Sequence, residues 1–136
     1  MDEKDIQYVL GRHLFRKKIC IPNVSMYCPG RTEYEADFIY FDLKTQYLTE
    51  VEIKTDIHDF RRDFKKKRYH DCKNVKYLYY AIPRSLYEEN RNEINFFLKD
   101  AGLILRSYRV SKPDIPLIAY MEMNSFKMFM FDVGLL

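Results

Sequence analysis

No apolar run in this 136-residue chain reaches the roughly 18 to 20 residues that a membrane-crossing helix requires, so no membrane association is expected. The opening residues, MDEKDIQYVLGRH, are acidic and polar where a secretory signal would be basic and then apolar, which predicts a cytoplasmic protein. Only three cysteines are present, Cys20, Cys28 and Cys72, an odd number without a CxxC pair. They are read as reduced structural thiols. The three histidines have no metal-ligand spacing: His13 falls on an apolar stripe and reads as a core residue, while His58 and His70 read as surface. There is no internal repeat, linker or biased tract, and a net charge of only +3 excludes a polycation of the histone kind.

What is present suffices for one compact domain spanning residues 1–136. Hydrophobic residues make up 47% and aromatic residues 16% of the chain, enough apolar surface to offset chain entropy. Charge is unevenly placed. The segment RRDFKKKR, Arg61 to Arg68, carries six cations in eight positions, whereas Glu33, Glu35, Asp37, Glu50 and Glu52 form an acidic cluster before it.

Periodicity predicts an initial amphipathic helix with Ile6, Val9, Leu10, His13 and Leu14 on one stripe. An edge strand between Pro22 and Gly30 and a hairpin of Tyr34–Leu43 and Tyr47–Lys54 follow. Thr55 or Asp56 caps a basic helix from Asp56 to His70, and Val75–Ile82, apolar almost throughout, reads as a central strand covered on both faces. Ser85-Leu86-Tyr87-Glu88 reads as a capping box before a helix with Ile94, Phe97, Leu98 and Ala101 on its stripe, closed by Gly102. Leu103–Val110 is a further strand, and Leu117–Met121 with Phe126–Phe131 a terminal hairpin. The order implies an α/β fold, a mixed central sheet flanked by helices.

Chemistry concentrates on the first hairpin. A period of two places Glu35 and Asp37 on one face of their strand and Glu50, Glu52 and Lys54 on one face of the next. Register permitting, four carboxylates and a lysine converge, a repulsive arrangement that a hard cation such as Mg2+ or Mn2+ would relieve. A lysine beside that cation can orient a water and neutralise charge on a phosphate. Taken alone, Glu33, Glu35 and Glu50 read as exposed carboxylates, and Asp59 and Asp63 as partners of lysines one turn later on their helix. Most of the 22 Tyr and Phe residues lie within predicted strands or stripes and read as core rather than as base-stacking surface.

Asp37 followed by Glu52-Ile53-Lys54 across a hairpin resembles the PD-(D/E)xK nuclease signature. Glu35-Ala36-Asp37, Val51 to Thr55, Asp59-Phe60-Arg61 with Asp63 and Lys65, and Tyr77 to Pro83 together resemble the MmcB-like DNA repair branch of that superfamily, over roughly residues 30 to 85. Ala36 stands where many members have proline. The resemblance implies a restriction-endonuclease-like αβββαβ core with an extra C-terminal hairpin. It implies Asp37, Glu52 and the Ile53 carbonyl as Mg2+ ligands, with Glu35 as a further candidate, and Lys54 assisting the water. Many members add a glutamate from the first helix, for which only Glu3 is available here. Metal number stays open.

The expected function is a metal-dependent DNA endonuclease serving repair or recombination, with Arg62, Lys65, Lys66 and Arg68 holding phosphates. A non-cleaving DNA-binding accessory module of the same fold is the alternative, and an RNA-directed nuclease a weaker one. A homodimer, with two sites for two strands, and a protein partner supplying specificity both stay open.

Overall fold

A computed structural model describes residues 2–27, 33–65, 74–100, 104–106 and 117–122. Helix α1 (Glu3–Leu14) leads into β1 (Lys18–Met26), β2 (Tyr34–Asp42) and β3 (Leu48–Ile53). Helix α2 (Ile57–Lys65) then crosses to β4 (Tyr77–Ile82), and α3 (Arg84–Glu89), α4 (Arg91–Asp100), β5 (Ile104–Arg106) and β6 (Leu117–Glu122) follow among the described residues. The strands form one six-stranded sheet in the order β1-β2-β3-β4-β6-β5. It is mixed, since β3 and β4 run parallel and every other neighbouring pair antiparallel. The expected α/β class, a mixed sheet flanked by helices, is what the structure shows. No helix among the described residues is long and apolar enough to cross a membrane.

Local chemistry accounts for several element boundaries. The Asp2 side chain accepts from the Asp5 amide and the Asp5 side chain from the Asp2 amide, both at 2.8 Å, a reciprocal cap that starts α1. Asp42 turns the β2–β3 hairpin by accepting from the amides of Lys44, at 2.8 Å, and Thr45, at 3.0 Å. Gln46, in the left-handed region at φ 61°, closes that turn. Asp56, one of the two expected caps, starts α2 by accepting from the His58 amide at 2.6 Å. Pro22 lies within β1, an edge strand as expected, a position in a sheet where proline is tolerated.

Apolar side chains cover both sheet faces. On one, Ile6, Leu10 and Leu14 of α1 pack on Phe38, Tyr40, Val51, Ile53 and Ala81. On the other, Phe60 and Phe64 of α2 and Ile94 and Leu98 of α4 pack on Leu78, Tyr80 and Ile82. Arg61 clamps α2 to α4 through a two-pronged contact with Glu93. As an interior strand with Leu78, Tyr80, Ala81 and Ile82 buried, β4 matches its sequence pattern.

Four expectations need correction. His13 is exposed, because contacts spaced by four residues drift about 40° around a helix at each step and carry the contact line away from it by the last turn. The region from Ser85 forms two helices, broken at Asn90. Pro83, with no side-chain cap, precedes the first, so Ser85 lies inside α3 and makes no capping box. Residues Leu117–Glu122 form a strand, but at Ile118–Tyr120 both of its edges are taken, by β4 and by β5. The C-terminal hairpin is thus built from β5 and β6, which shields the edge of β4; residues 126–131 lie outside the described residues. Finally, Glu50, expected on the surface, is fully buried.

Phe60 is fully buried and stacks with Phe64 at 4.6 Å between ring centroids. Phe60→Ala is expected to cost about 3–5 kcal/mol in urea unfolding, as for other large-to-small core changes. A loss below about 1 kcal/mol would show that α2 is not anchored through this ring.

Candidate functional site

The hairpin register pairs Phe38 with Val51 and Ile39 with Glu50, and the β2–β3 ladder stops there. Two residues further along β3, the Ile53 amide donates to the Asp37 carboxylate Oδ2 at 2.8 Å. The two strands therefore fork at Asp37, whose side chain substitutes for the next backbone rung. Opposite, Asn23 of β1 sits in the left-handed region at φ 52°, a conformation asparagine tolerates better than most residues. Gln7 of α1 donates to the Asp37 carbonyl at 2.8 Å and to Asn23 Oδ1 at 3.0 Å, tying helix and fork together.

Glu52 is buried next to this fork, and Lys54 Nζ lies 3.1 Å from its Oε2. The same ammonium is 3.7 Å from Asp63 Oδ1 on α2, and Asp63 Oδ2 accepts from the Tyr80 hydroxyl at 2.5 Å. The Lys54 amide donates to the Ala81 carbonyl at 3.1 Å, fixing the backbone against β4. Asp37, Glu52 and Lys54 are thus brought together as the sequence suggested, with Asp63 and Tyr80 behind them.

Electrostatics follow from this crowding. Burial, then the neighbouring Glu52 charge and the more distant Glu3, push the Asp37 carboxyl up to about 7, against lowering by the Ile53 amide and by Lys54. Burial alone would lower Lys54, but Glu52, Asp63 and Asp37 outweigh it and hold its pKa above the ordinary value.

The remaining candidates divide. Glu33 and Glu35 are exposed, as their bland reading had it, so Glu35 does not join the cluster. Glu50 turns away to accept from the Tyr34 hydroxyl at 2.6 Å, a bond that makes a buried carboxylate tolerable. Four carboxylates therefore do not converge: among the described residues no group of three or more His, Cys, Asp or Glu side chains could hold a metal. Asp37 and Glu52, with the Ile53 backbone between them and Lys54, still suit Mg2+, which retains several waters and takes one or two carboxylates. A bound cation would offset both the burial that chiefly raises Asp37 and its repulsion by Glu52.

Glu3 opens α1 and reaches Gln7 Nε2 at 3.2 Å, on the side of Asp37. On the basic helix, Arg62 is exposed and pairs with Asp59 at 3.0 Å, so Asp59 does brace its helix, through an arginine three residues on. Asp63 does not follow that expectation: it meets Lys54 and Tyr80, because it faces the sheet and not the helix surface. Lys65 ends α2, while Lys66, Arg68 and His70 lie outside the described residues, as do Cys28 and Cys72. Cys20 is a half-buried free thiol. Gln7, Tyr34 and Tyr80 carry no sequence motif, and their contacts across 16 to 30 residues exist only in the folded chain.

Comparison with protein-family models, curated proteins and solved structures finds no match for the chain.

The raised Asp37 gives a stability prediction for the metal-free protein. Folding favours its protonated form, so its contribution is full below its ordinary value of 3.8 and is lost as pH rises to about 7. Asp37→Asn, neutral at every pH, is expected to gain on the unchanged protein from pH 4 upward, melting at least about 4 °C higher at pH 8 in EDTA, with the gap levelling above about pH 7. An equal or lower melting temperature at pH 8 would contradict the environment described for Asp37.

Proposed function

We propose that this protein is a metal-dependent DNA endonuclease with a restriction-endonuclease-like core, related to the MmcB-like DNA repair branch of the PD-(D/E)xK superfamily. The observation that carries the proposal is the strand fork, where Asp37 and Glu52 lie close enough for one charge to raise the other's pKa while Lys54 is held 3.1 Å from Glu52. Hydrolysis of a phosphodiester needs a cation held by carboxylates, an oriented water and a positive charge near the phosphate. This chain supplies candidates for each protein part of that set. The element order αβββαβ and the cations Arg62 and Lys65 on α2, the helix that follows β3, support the same reading.

In this reading Asp37, Glu52 and the Ile53 carbonyl hold Mg2+ or Mn2+. When bound, that ion supplies Lewis acidity for the attack on phosphorus. Lys54 orients the attacking water and offsets charge developing on the phosphate, and Asp63 with Tyr80 keeps the ammonium in place. Arg62, Lys65, Lys66 and Arg68 grip the DNA backbone independently of sequence. Repair or recombination in the cytoplasm is the proposed setting, with a homodimer or a specificity-supplying partner extending so small a domain.

One observation favours the non-cleaving accessory module: Lys54 is already engaged by two carboxylates, and no set of three metal-ligating side chains is formed among the described residues. That module would bind DNA with a steep salt dependence unaffected by Asp37→Asn.

Incubation with single-stranded, duplex, flap and four-way-junction DNA in Mg2+, Mn2+ or EDTA separates the two. Metal-dependent cutting is expected, reduced by at least about 100-fold in Glu52→Gln and in Lys54→Ala, with the circular dichroism spectrum retained. Binding without cutting would favour the accessory module. Independently of cleavage, saturating Mg2+ at pH 8 should raise the melting temperature of the unchanged protein and leave that of Asp37→Asn unmoved, by linkage to a bound ion.

A further inference from the structure

We propose that the outward face of α1, continued into the turn that follows it, is a docking surface for single-stranded DNA. Tyr8 and Phe15 are among the exposed large side chains, at 64% and 62% of full exposure. Each carries a guanidinium: the Arg12 group lies 5.9 Å from the Tyr8 ring centroid, and the Arg16 group lies 5.9 Å from that of Phe15. Positions 8, 12 and 15 follow helical spacing and fall opposite Ile6, Leu10 and Leu14, which pack on the sheet. Lys17 adds a further exposed cation. Among the described residues, Arg12, Arg16 and Lys17 have no carboxylate within ion-pair distance, unlike Lys18, which is 3.5 Å from Asp42.

Cations in the last turn of a helix are ordinarily explained by its dipole, and α1 does have acids in its first turn and bases in its last. The dipole gives no reason for two large rings facing away from the core. Rings beside guanidinium groups match an unpaired strand, whose bases stack on aromatic faces while its phosphates meet the cations. A duplex gains little from the rings, since its bases already stack on one another. A second copy of this chain fits less well. The exposed Ile19 and Ile21 alternate with Cys20, which packs on the α1 side, so they face away from α1 and do not extend the ring pair into a broad apolar surface.

From Tyr8 to Arg16 the chain advances about 12 Å along the helix direction, room for about two nucleotides. Tyr8 directly follows Gln7, whose amide touches Asp37. The proposal goes beyond cleavage, since it concerns binding and holds whether or not the fork cuts.

The test uses the full chain with Glu52→Gln in EDTA, so that binding is read without cutting. Fluorescence anisotropy follows a labelled oligo(dT), a blunt duplex of the same length and oligo(U). Tyr8→Ala with Phe15→Ala should weaken oligo(dT) binding by about tenfold or more and leave duplex binding unchanged. Arg12→Gln with Arg16→Gln should reduce the salt slope for oligo(dT) by about 1.4, the value for two phosphate contacts on a single strand. Unchanged oligo(dT) affinity in the ring variant, or equal losses for duplex and single strand, would overturn the proposal. So would tighter binding of oligo(U) than of oligo(dT), or a ring-dependent dimer in sedimentation without any ring-dependent binding. Failure of the nuclease reading would leave these anisotropy results unaffected.

Discussion

The hydrogen bond from the Ile53 amide to the Asp37 carboxylate is the constraint on which the rest of this site depends. It occurs where the β2–β3 ladder ends, so a side chain does the work of a backbone carbonyl and the strands can separate. It also draws the Asp37 carboxyl into a half-buried position beside Glu52, where desolvation and like charge act together and its pKa rises to about 7. Without the Ile53 amide, which stabilises the charged form, the same burial would raise it further.

Lys54 is the counterweight. Its backbone is fixed by Ala81 on β4, and its ammonium is shared between Glu52 of its own strand and Asp63 of α2. Asp63 is in turn held by Tyr80, whose ring lies in the core beneath α2 and stacks 5.0 Å from Phe64. The apolar contact between α2 and the sheet and the polar chain from Tyr80 to Glu52 are therefore parts of one structure. Loosening α2 from the sheet would withdraw Asp63 from the ammonium and leave Lys54 with Glu52 on its own strand.

Much of the fold was legible because its signals are local. Asp42 and Asp56 bond to amides two and three residues away, so their turn and cap could be read from short stretches of chain. The nearly unbroken apolar run of β4 announced an interior strand. Signals failed where a distant partner decided the outcome. Glu50 looks like any strand glutamate until Tyr34 reaches it, and His13 lies on the side of its helix from which the contact line, running through Leu14, has turned away by the last turn. Leu117–Glu122 reads correctly as a strand, but only the tertiary structure seats it between β4 and β5.

The grouping of charges shows the same division. Spacing alone places Asp37 at one end of a hairpin strand and Glu52 and Lys54 at the facing end of the next, because the Asp42 turn sets the register and alternation does the rest. Spacing is blind to the fork, to Glu35 turning outward and Glu50 turning into the core, and to Asp63 arriving from α2. Those outcomes required β1, β4, α1 and α2 to be assembled around the hairpin, since burial and proximity between residues far apart in the chain are properties of packing and not of any segment of sequence.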